Sequence, residues 1–188
     1  ERMPARAPGG PPRLGGLEGR LGGNRRFRHA ALDDTVSEQG FKGLTTAYNN
    51  WNWLHSDISR AAVAMVDMHA YHAHPTAFVS PGSSVAADSS LPGAAAYLRA
   101  LMASRQWGKP FTVTEYGHAF WNSHRREAAV LVPAYAAFQG WDLLTQFSEN
   151  SLQLSAQLPQ PSRRAAIFPF TLSTDPVRRS GERLAALL

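Results

Sequence analysis

Residues 109–117 read Lys-Pro-Phe-Thr-Val-Thr-Glu-Tyr-Gly, and this stretch carries the strongest structural signal in the chain. Five residues rich in β-branched and aromatic side chains follow Pro110, which predicts a β-strand over residues 111–115. The strand ends on Glu115, a charged residue that an apolar strand normally excludes. Either Glu115 is a reactive carboxylate at a strand end, or it forms a structural ion pair with a neighbouring strand.

Strands and helices alternate on both sides of this stretch. Further β-type runs lie at residues 44–48, 64–71 and 140–147. The predicted helices cover residues 27–39, 56–65, 94–106, 125–138 and 179–187. Gly40 is placed to end the first helix, and Pro133 to kink the fourth or to start a new one. Such alternation predicts an α/β fold with a parallel sheet.

Side chains capable of chemistry follow each predicted strand. They are Asn49 and Asn50, His69 and Tyr71, Glu115, and residues 146–149. Parallel α/β sheets and barrels place their functional sites at the C-terminal edge of the strands. We therefore expect one site to be assembled from these positions.

The charge of the chain is concentrated at its beginning. Residues 1–30 hold seven Arg against Glu1 and Glu18, an excess equal to the net +5 of all 188 residues. The Gly, Pro and Arg content of residues 1–26 predicts a flexible tail, with residues 27–188 forming the domain. A neutral domain argues against a nucleic-acid partner. We also expect no signal peptide and no membrane association, because no long apolar run occurs.

Several segments resemble the clan A glycoside hydrolases, the cellulase-like (β/α)8 enzymes. Residues 109–117 resemble their seventh strand, and the similarity continues through residues 118–122 and 125–128. Residues 133–142 look like the following helix and eighth strand. Residues 66–71 resemble the sixth strand, and residues 44–50 the fifth. The resemblance covers roughly residues 36–188 and implies a half or partial TIM barrel made of strands five to eight.

The resemblance also implies an activity, which is hydrolysis of β-glycosidic bonds in a polysaccharide or oligosaccharide with retention of anomeric configuration. Glu115 then corresponds to the nucleophile, and no cofactor or metal is expected. The substrate-binding positions carried over are Asn49, Asn50, Trp53, His69, Tyr71, Tyr116, His118 and Trp121. In the clan, the His and Tyr at the end of the sixth strand hydrogen-bond the sugar or the nucleophile.

One departure concerns the general acid/base, which in that clan is a Glu following an Asn on the fourth strand. The chain contains no Asn-Glu dipeptide. Glu149, just beyond the predicted fourth strand, is the first candidate to replace it, and Glu127 at a helix start is the second. The chain is then a fragment, a half-barrel completed by a partner, or an enzyme that has recruited another acid.

Other functions remain open at this stage. A half-barrel that only binds carbohydrate, or that self-associates through its open edges, is the main alternative. A metal-dependent hydrolase using His69, His72, His74 and His118 is weaker, since no metal-binding motif accompanies them. Trp51 and Trp53 alternate with Asn, which favours a sugar-binding loop, whereas core packing is expected for Trp141.

Overall fold

The computed structural model describes residues 17–49, 56–77, 82–119, 121–148, 152–153, 166–167, 170–172 and 175–188. The chain divides into two compact units, Glu1–Gly43 and Leu44–Leu188. Among the described residues, no helix combines the length and the apolar character needed to cross a lipid bilayer.

The first unit contains a single described helix, α1, which spans Leu17–Glu38. The helix ends where the sequence predicts, because Gly40 adopts a φ of 91° that residues with a side chain rarely take. Its start differs from the prediction. Helix α1 begins ten residues before position 27, inside the segment whose composition predicts a tail.

The second unit is built on a parallel sheet. Strands β1 (Val66–His72), β2 (Phe111–His118) and β3 (Leu143–Leu144) pair in the order β1-β2-β3. Helices α2 (Asp57–Arg60), α3 (Ala96–Ala103), α4 (Ala128–Gln139) and α5 (Pro176–Ala185) accompany it, with a 3-10 turn at Arg125–Glu127. Strands β4 (Leu152–Gln153) and β5 (Ala166–Ile167) form a separate antiparallel pair. The predicted α/β class is confirmed.

The two faces of the sheet differ in chemistry because side chains alternate along a strand. Val66, Met68 and Ala70 of β1 are fully buried. They belong to the hydrophobic core, together with residues of β2, α3 and α4. Leu98 of α3 is also buried there, and burying a side chain of this size contributes about 2 kcal/mol. The intervening residues of β1 therefore face away from the helices.

Three predicted elements are shorter or absent. Residues 44–49 do not form a strand: Tyr48 has a φ of 70°, and the Thr46 side chain, rather than a backbone ladder, donates to the carbonyl of Met65. The helix predicted at 56–65 is one turn, and Ser56 makes no side-chain capping bond. The strand predicted at 140–147 contains only two residues, and just before it the Asp142 carboxylate accepts a hydrogen bond from the Phe111 N–H.

The predicted C-terminal helices are present with shifted starts. Helix α4 continues through Pro133 and ends at Gly140, which has a φ of 61°. Helix α5 begins at Pro176, where the Asp175 carboxylate accepts from the N–H of Val177. The two helices pack closely, since a Cβ added at Gly181 would lie 2.5 Å from the Cβ of Ala129.

Candidate active site

The carboxylate of Glu115 lies beside the C-terminal end of β1. The hydroxyl of Tyr71 donates to its Oε2 at 2.7 Å, and Nδ1 of His69 lies 3.3 Å from the same oxygen. His69 and Tyr71 occupy alternate positions of β1, so they share the face of the sheet opposite the core. The Glu115 side chain is 31% exposed, which leaves it accessible to a ligand.

The basic neighbour of Glu115 is a histidine. The ion pairs of Arg side chains in the described part of the chain join Arg60 to Asp57 and Arg125 to Asp175. Glu115 therefore takes part in no Arg or Lys ion pair within these residues. Among the described residues, the ion pair with a neighbouring strand that the sequence left open is therefore the one with His69 of β1.

A β-bulge turns Glu115 toward the polar face. Val113 and Glu115 pair with consecutive residues of β1, so Thr114 is one extra residue in β2. Strict alternation would put Thr114 and Glu115 on opposite faces. Instead, both side chains reach the same face of the sheet. The Thr114 hydroxyl donates to Asp67, and the Glu115 carboxylate lies beside His69; Asp67 and His69 both belong to β1. Bulges often lie next to active sites because they redirect a side chain in this way.

Asp67 anchors the buried side of the site. It is 2% exposed. Its Oδ1 accepts from the Thr112 hydroxyl at 2.8 Å and from the Thr114 N–H at 3.2 Å. Its Oδ2 accepts from the Thr114 hydroxyl at 2.6 Å and from Nδ2 of Asn49 at 3.0 Å. Four donors satisfy this buried carboxylate, as its desolvation requires.

His69 joins this anchor to Glu115. Its Nε2 lies 2.9 Å from the Thr114 hydroxyl and 3.2 Å from Nδ2 of Asn49. Because Nδ1 faces Glu115, the imidazole spans the distance between the buried Asp67 cluster and the exposed carboxylate. Two predicted site residues, His69 and Tyr71, thus contact Glu115, and a third, Asn49, contacts His69.

The sequence interpretation missed Asp67. A signal for it is present, since Asp67, His69 and Tyr71 occupy every second position of β1 and must share one face. An acid at the first of these positions, inside an otherwise apolar strand, requires hydrogen-bond donors on the neighbouring strand. Thr112 and Thr114 provide them with the same two-residue period.

Tyr71 is held by an aromatic cluster. Its ring lies 4.9 Å from that of Phe170 and 6.2 Å from that of Phe147, centre to centre. Desolvation, and then the hydrogen bond to the Glu115 carboxylate, raise the pKa of Tyr71 above its ordinary value. The phenol therefore stays protonated and keeps its role as a donor at physiological pH.

Two predicted substrate ligands are buried on the opposite face. Tyr116 is 3% exposed and belongs to the hydrophobic core. His118 is 1% exposed, with its ring 5.6 Å from that of Tyr97. Desolvation, assisted by nearby His72, lowers the pKa of His118 to about 4. His118 is therefore neutral at pH 7, packed as an aromatic side chain.

Of the remaining predicted site residues, one is exposed and three lie outside the described residues. Trp121, three residues after β2, is 62% exposed. Asn50, Trp53 and Glu149 lie outside the described residues. Trp121 is therefore exposed to solvent, as an aromatic ring that stacks against a sugar must be.

Glu127, the second candidate for the general acid/base, is hydrogen-bonded to Ser89 and Ser90. Its carboxylate accepts from the Ser89 hydroxyl at 2.6 Å and from the N–H and hydroxyl of Ser90 at 2.9 and 2.7 Å. Desolvation acts to raise its pKa, but these hydrogen bonds outweigh it and lower the pKa of Glu127 to about 2. An ionised carboxylate has no proton to give, so Glu127 does not suit the acid role.

Within the described ranges, no group of three or more His, Asp and Glu side chains is arranged to hold a metal ion. His72 instead lies beside Asp88, and His124 beside Glu127.

No model of a known protein family matches the chain, and neither does any curated protein. The resemblance to clan A enzymes is therefore carried by the motif residues alone. The chemistry has to follow from the geometry around Glu115.

Proposed function

We propose that residues 44–188 form part of a (β/α) barrel, corresponding to strands five to eight, and hydrolyse β-glycosidic bonds of a polysaccharide or oligosaccharide. Glu115 acts as the nucleophile, with retention of anomeric configuration. The observation that carries this proposal is the 2.7 Å hydrogen bond from Tyr71 to Glu115 at the C-terminal end of adjacent parallel strands. That edge is where barrel enzymes place their catalytic groups.

The arrangement suits a carboxylate that attacks an anomeric carbon. A nucleophile must be held in one orientation, and hydrogen-bonding partners on one of its oxygens meet that demand. Tyr71 and His69 engage Oε2. Among the described residues, Oε1 accepts no hydrogen bond, so we assign Oε1 as the attacking atom.

Glu149 remains the proposed general acid/base. It follows β3, which pairs in parallel with β2 through Thr112 and Val113. Neighbouring strands lie about 4.8 Å apart. Retaining enzymes need carboxyl groups about 5–5.5 Å apart, and the proposal requires the segment after Leu144 to bring Glu149 to that distance from Glu115.

The sugar site is proposed to include Asn49, His69 and Trp121. The Trp121 indole, being 62% exposed, offers a flat apolar surface on which a pyranose ring can stack. Nδ1 of His69 lies 3.3 Å from Oε2 of Glu115, and Nδ2 of Asn49 lies 3.2 Å from Nε2 of His69. Asn50 and Trp53, which follow residue 49 in the sequence, complete this proposal.

Substitution of Glu115 tests the proposed reaction. Glu115→Gln keeps the shape of the side chain and removes the nucleophile, so hydrolysis of aryl β-glycosides and soluble β-glucan should fall by at least about 10³-fold. Glu38→Gln, in the first unit, is the matched control. Glu115→Ala with added azide should recover turnover and release a glycosyl azide of inverted configuration. Unchanged hydrolysis by Glu115→Gln contradicts the proposal.

Carbohydrate binding without turnover is the second candidate function. It is favoured by one observation: in the described part of the chain, the side chains in contact with the Glu115 carboxylate include no second carboxylic acid. Calorimetric binding of soluble β-glucan by both the natural chain and Glu115→Gln, without product from either, supports this candidate. Gel filtration in the same buffers reports whether copies associate through the open sheet edges.

A further inference from the structure

Arg178 of α5 is a buried cation that the proposed reaction does not use. It is 3% exposed, and its guanidinium donates to two backbone carbonyls. Nη2 bonds to the carbonyl of Phe147 at 2.9 Å, and Nη1 to the carbonyl of Thr171 at 3.3 Å. With its amide oxygen turned toward this guanidinium, Gln146 accepts from Nε at 3.1 Å and from Nη2 at 2.9 Å. Arg178 therefore joins three residues from two separate segments.

The two segments that Arg178 holds carry the rings around Tyr71. Phe147 supplies one ring directly, and Phe170 precedes Thr171. The rings of Phe147 and Phe170 lie 5.5 Å apart, edge to face, and both contact the ring of Tyr71. A shift of either backbone segment would move the wall against which Tyr71 packs.

Arg178 also lies against the strand that carries Glu115. A Cβ added to Gly117, two residues after Glu115, would lie 3.7 Å from Nη2 of Arg178. Gly117 has a φ of 147°, a conformation that side chains rarely permit. Desolvation lowers the pKa of Arg178, and the nearby Asp175, Glu182, Tyr71 and Tyr116 oppose that shift. These acids and phenols therefore act electrostatically on the Arg178 guanidinium.

We propose that Arg178 is a positioning residue for the Tyr71–Glu115 pair. Its hydrogen bonds fix the carbonyls of Phe147 and Thr171 and so place the rings of Phe147 and Phe170. These two rings orient the Tyr71 hydroxyl toward Oε2 of Glu115. The inference rests on the proposed function for its kinetic consequence, but the contacts themselves do not depend on it. Helix α5 thereby controls the site from a distant part of the sequence.

The test compares Arg178→Met with Arg178→Lys, using Arg183→Met as the control because Arg183 is exposed on the same helix. In each folded variant, the 13Cζ resonance of Tyr71 is measured by NMR, after assignment through its loss in Tyr71→Phe. Arg178→Met should shift this resonance in the same direction as Glu115→Gln does. Arg178→Lys should restore part of the shift, and Arg183→Met should leave the resonance unchanged. An unmoved Tyr71 resonance in a folded Arg178→Met protein overturns the proposal, whether or not the chain hydrolyses sugars.

Kinetics adds a second criterion once hydrolysis is measured. Arg178→Met should lower kcat by about 10-fold with little change in KM, since it misplaces a group beside the nucleophile. The double variant Arg178→Met/Tyr71→Phe should be no slower than Tyr71→Phe alone, because both changes disrupt the same contact. Multiplicative losses in the double variant contradict action through Tyr71. If no variant or natural protein hydrolyses the substrates, the NMR result alone decides this inference and the hydrolase proposal fails separately.

Discussion

The hydroxyl of Tyr71 and the carboxylate of Glu115 meet at 2.7 Å, although 44 residues separate them in the chain. Parallel pairing of β1 with β2 brings the two strand ends together. The extra residue Thr114 then turns Glu115 to the face that Tyr71 occupies. Pairing and bulge are both needed, because Glu115 in strict alternation would point toward the helix-covered core.

Removal of the Tyr71 hydroxyl should slow the proposed reaction. A hydrogen bond to a charged group contributes about 1.5–3 kcal/mol, so Tyr71→Phe should lower kcat/KM roughly 10- to 100-fold. The ring contacts with Phe147 and Phe170 survive this change, but the free energy of unfolding should fall by up to about the same amount, because the hydrogen bond is also part of the folded structure. Steady-state kinetics and a melting curve measure the two effects.

Tyr135→Phe is the control for Tyr71→Phe, because Tyr135 is 38% exposed on α4. It should leave both kcat/KM and the melting temperature near their natural values. Wild-type kcat/KM in Tyr71→Phe would exclude a role for this hydrogen bond in turnover.

Periodicity in the sequence was sufficient for strands β1 and β2 and for the helices that cover them. Strands β1 and β2 lie where their β-type runs predict, and α3 and α4 follow the apolar positions that they bury. The left-handed Gly40 ended the first helix as expected. These features depend on local patterns, since side-chain period and backbone freedom are set within a few residues.

The features that build the site depend on contacts across the chain. The bulge at Thr114 is a relation between two strands, and no residue of β2 alone predicts it. The threonine donors to Asp67 lie 45 and 47 residues away, and Asn49 lies 18 residues away. Residues 44–48 have strand composition, yet Tyr48 takes a positive φ and its carbonyl accepts from the buried guanidinium of Arg60. Tertiary hydrogen bonds here override local propensity.

Asp67→Asn should destabilise the second unit. The amide replaces one acceptor oxygen with a donor, which then faces either the Thr114 N–H at the position of Oδ1 or Nδ2 of Asn49 at the position of Oδ2, and neither of these groups can accept a hydrogen bond. Such a mismatch in a buried site costs about 1–3 kcal/mol in the free energy of unfolding. Urea denaturation measures it, with Asp88→Asn as the control because the Asp88 side chain is 65% exposed. Equal stability of the two variants would show that Asp67 is not a structural anchor.

His118 should make the protein less stable in mild acid. Its pKa is about 4 in the folded state against an ordinary value of 6.5, so the unfolded chain binds the proton more readily between these values. Stability therefore falls as pH decreases from 6.5 to 4, by up to about 3 kcal/mol. His118→Phe retains an aromatic ring beside Tyr97 and removes the titrating group.

Urea denaturation at pH 7.5 and at pH 4.5 measures this effect of His118. The natural protein should lose stability between the two pH values, and His118→Phe should lose less. Both proteins share every other titrating group, so the difference between their losses isolates His118. Equal losses would mean that His118 titrates alike in the folded and unfolded states.

Glu127 should also make the stability of the protein depend on pH, but over a lower pH range than His118. Its effect comes from hydrogen bonds to the ionised carboxylate, whereas that of His118 comes from burial. Its pKa of about 2 lies below the ordinary 4.5, so the folded state holds the ionised form and gains stability above pH 4.5. That gain, about 3 kcal/mol, is lost as pH falls from 4.5 through 2. Glu127→Gln lacks it at every pH, because an amide cannot match the three donors from Ser89 and Ser90. The unfolding free energies of the two proteins should therefore differ at pH 7 and converge toward pH 2. A difference that stays constant over this range would mean that the loop contacts of Glu127 do not depend on its charge.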